Sequence, residues 1–213
     1  MGYVFRDTEQ SLSETLYQTA RSINSEHITL KELFEKVGEH GLLLFCALLT
    51  IPFLIPVSIP GVSTVFGLGI ILIGVGIVLN RVPWLPQRLM ARPIATQHLI
   101  PTLEKGAQFV TRIERFIHPR LLMLTHGVTV NRVNGSGLVF SGVLLMFPLG
   151  LVPFSNTLPA LAILFLSIGI MERDGFFILG GFGMMLLTLI YFGILFLGVM
   201  LAGEGILSLF DGG

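Results

Sequence analysis

Gly41 to Leu79 reads GLLLFCALLTIPFLIPVSIPGVSTVFGLGIILIGVGIVL, thirty-nine residues without one charge. A single helix of that length would be about 58 Å long, roughly twice the hydrocarbon core of a bilayer. It cannot run straight through. Pro52, Pro56, Pro60 and Gly61 mark the break, because proline removes an amide donor and its ring clashes with the preceding helical turn. The run is expected to fold as two shorter helices around a turn, with both ends on one side. The first arm is short for a full span, which points to a broken or re-entrant hairpin; such backbone needs a protein-lined cavity to satisfy its polar groups. Whether the turn reaches the far surface or stops inside the membrane is open.

Val133 to Met171 is a second run of thirty-nine uncharged residues, broken in its middle at Pro148, Pro153, Asn156 and Pro159. Ile70-Ile71-Leu72-Ile73-Gly74-Val75-Gly76-Ile77 matches Ile163-Leu164-Phe165-Leu166-Ser167-Ile168-Gly169-Ile170 at an offset of 93, and the same offset brings Pro60 onto Pro153. Two unrelated membrane hairpins could share this much. Read as an internal repeat, duplicated proline-broken segments point to a transporter binding site, with the two units parallel or inverted. Phe176 to Gly203 then gives twenty-eight uncharged residues without proline, one long, tilted span or a span with an interfacial end. Gly198 and Ala202 form its small-xxx-small pair, the basis for expecting a homodimer.

The rest of the composition agrees. Over 213 residues, 53% are hydrophobic and 12% charged, against about 25% charged in soluble globular proteins. Mean hydropathy is +0.83. A soluble domain, a disordered chain, a collagen-like fibre and a disulfide scaffold are excluded, and zero net charge argues against a basic nucleic-acid binder. The chain reads as an all-α integral membrane protein. Residues 1–40 carry four basic and seven acidic residues; residues 80–132 carry eight basic and two acidic; residues 133–213 carry one basic and four acidic. Positive charge flanking membrane segments stays in the cytoplasm, so the N-terminus and residues 80–132 are expected there, with Gly213 across the membrane. The first forty residues contain no apolar h-region, so no cleavable signal peptide is expected. The lone Cys46 reads as a small buried hydrophobe.

The polar blocks have their own pattern. Ser11-Leu12-Ser13-Glu14 and Thr29-Leu30-Lys31-Glu32 match the capping box, so residues 1–40 predict two short helices. In the second, Leu30, Leu33, Phe34 and Val37 form one amphipathic stripe. Arg81-Val82-Pro83-Trp84-Leu85-Pro86 reads as an interfacial cluster. Leu103, Ala107, Val110, Ile113 and Ile117 predict an amphipathic helix near 99–117 in the headgroup plane, ended by Pro119.

Together these pieces resemble the ExoD family, bacterial membrane proteins associated with exopolysaccharide synthesis. The resemblance is carried by Gly38-Glu39-His40-Gly41, Pro56-Val57-Ser58-Ile59-Pro60-Gly61-Val62-Ser63, the Arg81–Pro86 cluster, Asn156-Thr157-Leu158-Pro159-Ala160 and Glu172-Arg173-Asp174-Gly175. It spans about residues 10–200. His40 stands where the resemblance leads one to expect arginine. The family label implies a physiological link and no reaction type.

Candidate functional residues fall in two groups. At the breaks, Pro56, Ser58, Pro60, Gly61, Ser63, Thr64, Pro153, Asn156, Thr157 and Pro159 could line an ion or substrate pathway with carbonyls freed by the prolines. Ser63 and Asn156 could equally cap the helices that follow. At the hairpin ends, Glu39, Glu172, Arg173 and Asp174 are candidates for a gate or ion-coupling cluster, or for a helix-end ion pair. The five histidines show no metal-ligand spacing. No phosphate loop or nucleophile elbow occurs, so no cofactor, metal or enzymatic activity is expected. Two functions remain: a transporter or channel-like protein for a small ion or solute, or a non-transporting scaffold or regulatory subunit of an envelope polysaccharide machinery. The lipid bilayer is the partner common to both.

Overall fold

The computed structural model describes residues 12–23, 25–54, 61–80, 93–97, 120–147, 149 and 152–211, together with some positions between 100 and 111. Pro56, Ser58, Pro60 and the Arg81–Pro86 cluster lie outside the described residues. Helix α1 spans Leu12–Ser22, strand β1 His27–Thr29 and α2 Leu30–Leu54. Helix α3 follows at Val62–Leu79, strand β2 at Pro93–Ala95 and a 3₁₀ turn at Leu122–Leu124. Helices α4 (Val128–Leu145), α5 (Thr157–Met171) and α6 (Gly175–Asp211) complete the chain. The described residues are helical apart from the β1–β2 ribbon and connecting turns.

The predicted second capping box forms as read. Thr29 Oγ1 accepts the Glu32 N–H at 3.2 Å, and a Glu32 carboxylate oxygen accepts the Thr29 N–H at 3.0 Å, so two otherwise orphaned donors are satisfied reciprocally. The helix launched there does not stop at residue 37. It kinks at Gly38 (φ 64°, ψ −150°) and continues to Leu54; glycine supplies this left-handed φ without a Cβ penalty. The ribbon was not legible from the sequence. Its strands are three residues each, antiparallel, with His27 opposite Ala95. Thr96 Oγ1 donates within reach of the Ser25 and Glu26 carbonyls, at 2.9 and 2.8 Å, and fastens the N-terminal segment to the central block.

Between 100 and 111 the described residues are helical. Ala107 is fully buried and Leu103 packs on the core. At these positions the stripe expected to face headgroups is turned to the protein.

Helices α2 to α6 form a bundle whose directions are fixed by glycine contacts. Gly67 lies by Met146, Gly74 by Val139 and Gly135 by Val78, so α3 and α4 are antiparallel. Gly169 lies by Ile178 and Gly181 by Leu166, which makes α5 and α6 antiparallel. Gly137 meets Leu166, at similar distances from the intervening break, so α4 and α5 form a hairpin. The α3–α4 contact is a backbone seam. A Cβ on Gly74 would come within 2.9 Å of Val139 Cγ2 and 3.2 Å of the Gly135 carbonyl oxygen, and one on Gly142 within 2.9 Å of Ile71 Cγ1. The other extensive interhelical contacts are α5 on α6 and α2 on α5. An edge-to-face pair, Phe53 with Phe66 at 5.8 Å, joins the end of α2 to the start of α3.

Two predicted boundaries move. Pro52 does not start the first break: it lies inside α2, which runs on to Leu54. So near the C-terminus few helical bonds remain to lose. The final helix is longer than 176–203, with 37 residues passing through Glu204. Val62–Leu79 and Gly175–Ala202 are each long and apolar enough to cross a membrane. The outer half of α6 is bare, with Ile194, Leu197 and Val199 between 61% and 72% exposed.

Candidate functional site

The bundle directions put both breaks at one end, the distal end, and the hairpin exits at the other, the basal end. At the distal end α2 stops at Leu54 and α3 restarts at Val62, while α4 stops at Leu145 and α5 restarts at Thr157. Gly61 (φ 84°) occupies the cap position of α3 in left-handed geometry. The expected cap, Ser63, sits instead within the first turn and is buried, while Thr64 beside it is exposed. In the second break Ser155 Oγ lies 2.9 Å from the Leu149 carbonyl and 2.8 Å from that of Val152, closing the turn on itself. Asn156 is buried at the cap position of α5 and its side chain makes no cap bond. Thr157 is half-buried, Pro159 is buried in the first turn of α5, where proline is tolerated, and Pro153 is exposed. The Pro153 carbonyl accepts a 2.7 Å hydrogen bond from the Tyr191 hydroxyl of α6. Tyr191, not singled out in the sequence, thus fastens the second break to the long helix.

Two further polar groups lie in the bundle interior. Ser141 on α4 and Ser167 on α5 are fully buried, and their Oγ atoms have no hydrogen-bond partner among the described residues. A buried hydroxyl is ordinarily paired, and each exception asks for a physical reason. The only sequence signal for Ser167 was its position opposite Gly74 in the repeat; Ser141 had none beyond being polar in an apolar run.

At the basal end Glu172, Arg173 and Asp174 form the joint between α5 and α6. Arg173 takes a left-handed conformation (φ 53°), and the Asp174 N–H donates to the Gly169 carbonyl at 3.0 Å, the six-to-one bond of a Schellman end. Asp174 then starts α6: its Oδ1 accepts the Phe176 N–H at 2.9 Å. Gly175 N–H donates to the Arg120 carbonyl at 2.7 Å, and a Cβ on Gly175 would lie 2.7 Å from the Leu121 carbonyl oxygen. The central block is thereby clamped to the joint. Glu39 has its backbone in α2, next to the Gly38 kink, at this same end; its side chain lies outside the description. Asp174, one of the proposed coupling groups, therefore has a helix-capping role as well. Asp174→Asn should be tolerated, because asparagine caps about as well, whereas Asp174→Ala should cost about 1 kcal/mol. Thermal midpoints of the purified variants check this; equal loss in both would assign the charge, not the cap, to stability.

The chain matches the family described as "Exopolysaccharide synthesis, ExoD" over residues 12–194. It is 54% identical to Protein ExoD of Rhizobium meliloti (strain 1021) over 210 residues, 99% of this chain and 88% of that protein. It is 29% identical to an uncharacterized protein of Synechocystis sp. over 144 residues, 67% of this chain and 66% of that one. No solved structure matches it. With the motifs at both breaks and at the Glu172–Gly175 joint falling inside a match that covers most of its length, the chain belongs to the ExoD family.

Proposed function

We propose that this protein is a multi-pass inner-membrane protein, built on two parallel copies of a broken helical hairpin, that moves a small ion or solute and supports exopolysaccharide synthesis through that movement. The observation that carries the transport reading is the pair of fully buried hydroxyls, Ser141 and Ser167, without a hydrogen-bond partner among the described residues, in a bundle whose two breaks lie at one end with Ser63 and Asn156 buried beside them. A buried hydroxyl without a protein partner can bond a passing water or solute, which supports this reading. Helix lengths support a broken hairpin. The α5 helix, 15 residues, rises about 22 Å, short of a hydrocarbon core of about 30 Å, while α6 continues well beyond Tyr191. The basic residues flanking the basal end support a cytoplasmic side for that end and for the N-terminus.

Proteoliposome flux over pH and monovalent ions tests the proposal. Ser141→Ala and Ser167→Ala should hold or raise thermal stability, since removing an unsatisfied hydroxyl relieves a desolvation cost, yet lower flux. The same variants with unchanged flux, or no flux in the parent protein, would leave the scaffold reading. That reading has its own support in the α3–α4 glycine seam, whose backbone-to-backbone closeness suits a rigid platform for a polysaccharide machinery.

A further inference from the structure

At the basal end an apolar groove of about 150 Å³ opens between the 3₁₀ turn, the start of α4 and the start of α6. Leu124, Val130, Val133, Ile178, Leu179 and Phe182 form its walls. Asn134 holds the turn in place: its Nδ2 donates to the Leu124 carbonyl at 2.9 Å. The surroundings are unusual for a water-facing loop. Leu121, Leu122 and Met123 project from the turn, Met123 88% exposed, and Phe176 and Leu179 continue the apolar surface along α6. Basic side chains ring the same end. Arg120, His126 and Arg132 are all exposed, and Arg132 sits one turn into α4, from where its long stem can carry the guanidinium back to the helix start. The carboxylate of Asp174 nearby is buried and engaged in capping α6.

From this combination we infer that the groove is a binding site for an anionic phospholipid, one acyl chain lying against Val133 and Leu179 and the headgroup phosphate meeting Arg120 and Arg132. The occupant follows from complementarity. An apolar slot beside the exposed apolar face of α6 takes alkyl chain, and exposed arginines at the same end of the bundle favour a negative headgroup over a zwitterionic one. Exposed leucines and methionine on the adjoining turn suit insertion at the acyl–headgroup boundary. The inference rests on the membrane placement proposed above and is independent of whether anything is transported.

The test is a thermal-shift titration of the full chain in detergent with phosphatidylglycerol, phosphatidylcholine or inorganic phosphate. Phosphatidylglycerol near a hundredfold over its dissociation constant should raise the midpoint by roughly 5 °C, with phosphatidylcholine much weaker and free phosphate inert. Val133→Trp, or Thr129→Phe on the same groove lining should the first fail to fold, fills the groove and should abolish the shift. Arg120→Gln with Arg132→Gln should equalise the two lipids. Equal shifts from both lipids in the parent protein, a shift from free phosphate, or a full shift in the filled-groove variants would overturn the site. Loss of the lipid effect with flux intact refutes this inference alone; loss of flux with the lipid effect intact refutes transport alone.

Discussion

Gly74→Val should be among the most damaging single substitutions in the chain. The added Cβ would meet Val139 Cγ2 at 2.9 Å, Val139 N at 3.1 Å and the Gly135 carbonyl oxygen at 3.2 Å. Two of those three neighbours are backbone atoms of α4, so no rotamer change makes room, and the helices must part along the whole seam. Overpacking of this kind costs about 1–3 kcal/mol for a small insertion and more for a branched one. In a protein of this size that lowers the thermal midpoint by roughly 5 °C or more. Gly193→Ala is the matched control, since a Cβ there meets nothing within 4 Å and alanine is the better helix former by up to about 1 kcal/mol. Fluorescence-detected gel filtration after heating compares the two. A Gly74→Val protein as stable as the Gly193→Ala protein would show that the α3–α4 seam is not closed as described.

That seam also shows what could and could not be read in advance. Gly67 and Gly74, and Gly135 and Gly142, are each seven residues apart, the spacing that returns a residue to the same helix face. The signal was present, but glycine is common in membrane helices, and only the packing identifies which glycines touch. The small-xxx-small pattern points instead to Gly198, where a Cβ would meet nothing within 4 Å. The all-helical class, the helix ends near the prolines, the Thr29–Glu32 capping box and the Glu172–Gly175 joint were legible because proline, charge and cap residues act locally. The β1–β2 ribbon was not, because three-residue strands carry too little periodicity. Ser141 and Tyr191 were not, because their significance lies in what surrounds them. Ser155, next to the pathway candidate Asn156, bonds inward to its own turn, which no reading of a break as merely polar anticipates.

A Ser167→Cys substitution should form a disulfide with the native Cys46 on mild oxidation. If the two hairpins are related by a pseudo-two-fold along the membrane normal, a contact between α3 and α4 maps onto one between α5 and α2 by moving each residue 93 positions. Gly74 becomes Ser167, and its neighbour Val139 becomes Cys46. Burial supports the mapping. On α2, Leu43, Cys46, Thr50 and Phe53 are all at most 2% exposed, and on α5 Ala160, Ile163 and Ser167 are fully buried, the three-four spacing of two facing helix stripes. The α2–α5 contact is one of the extensive ones in the bundle, as α3–α4 is. Because Cys46 is the single cysteine, the measurement is simple: maleimide labelling of the denatured, unreduced protein should fall from two thiols to none after oxidation. Ser136→Cys, on the exposed face of α4, should keep both thiols. Bridging requires Cα atoms within about 7 Å, so a successful crosslink fixes the α2–α5 register, and with it the parallel duplication. Two free thiols in the oxidised Ser167→Cys protein would mean that the offset of 93 is a resemblance of composition and that the second hairpin packs on its own terms.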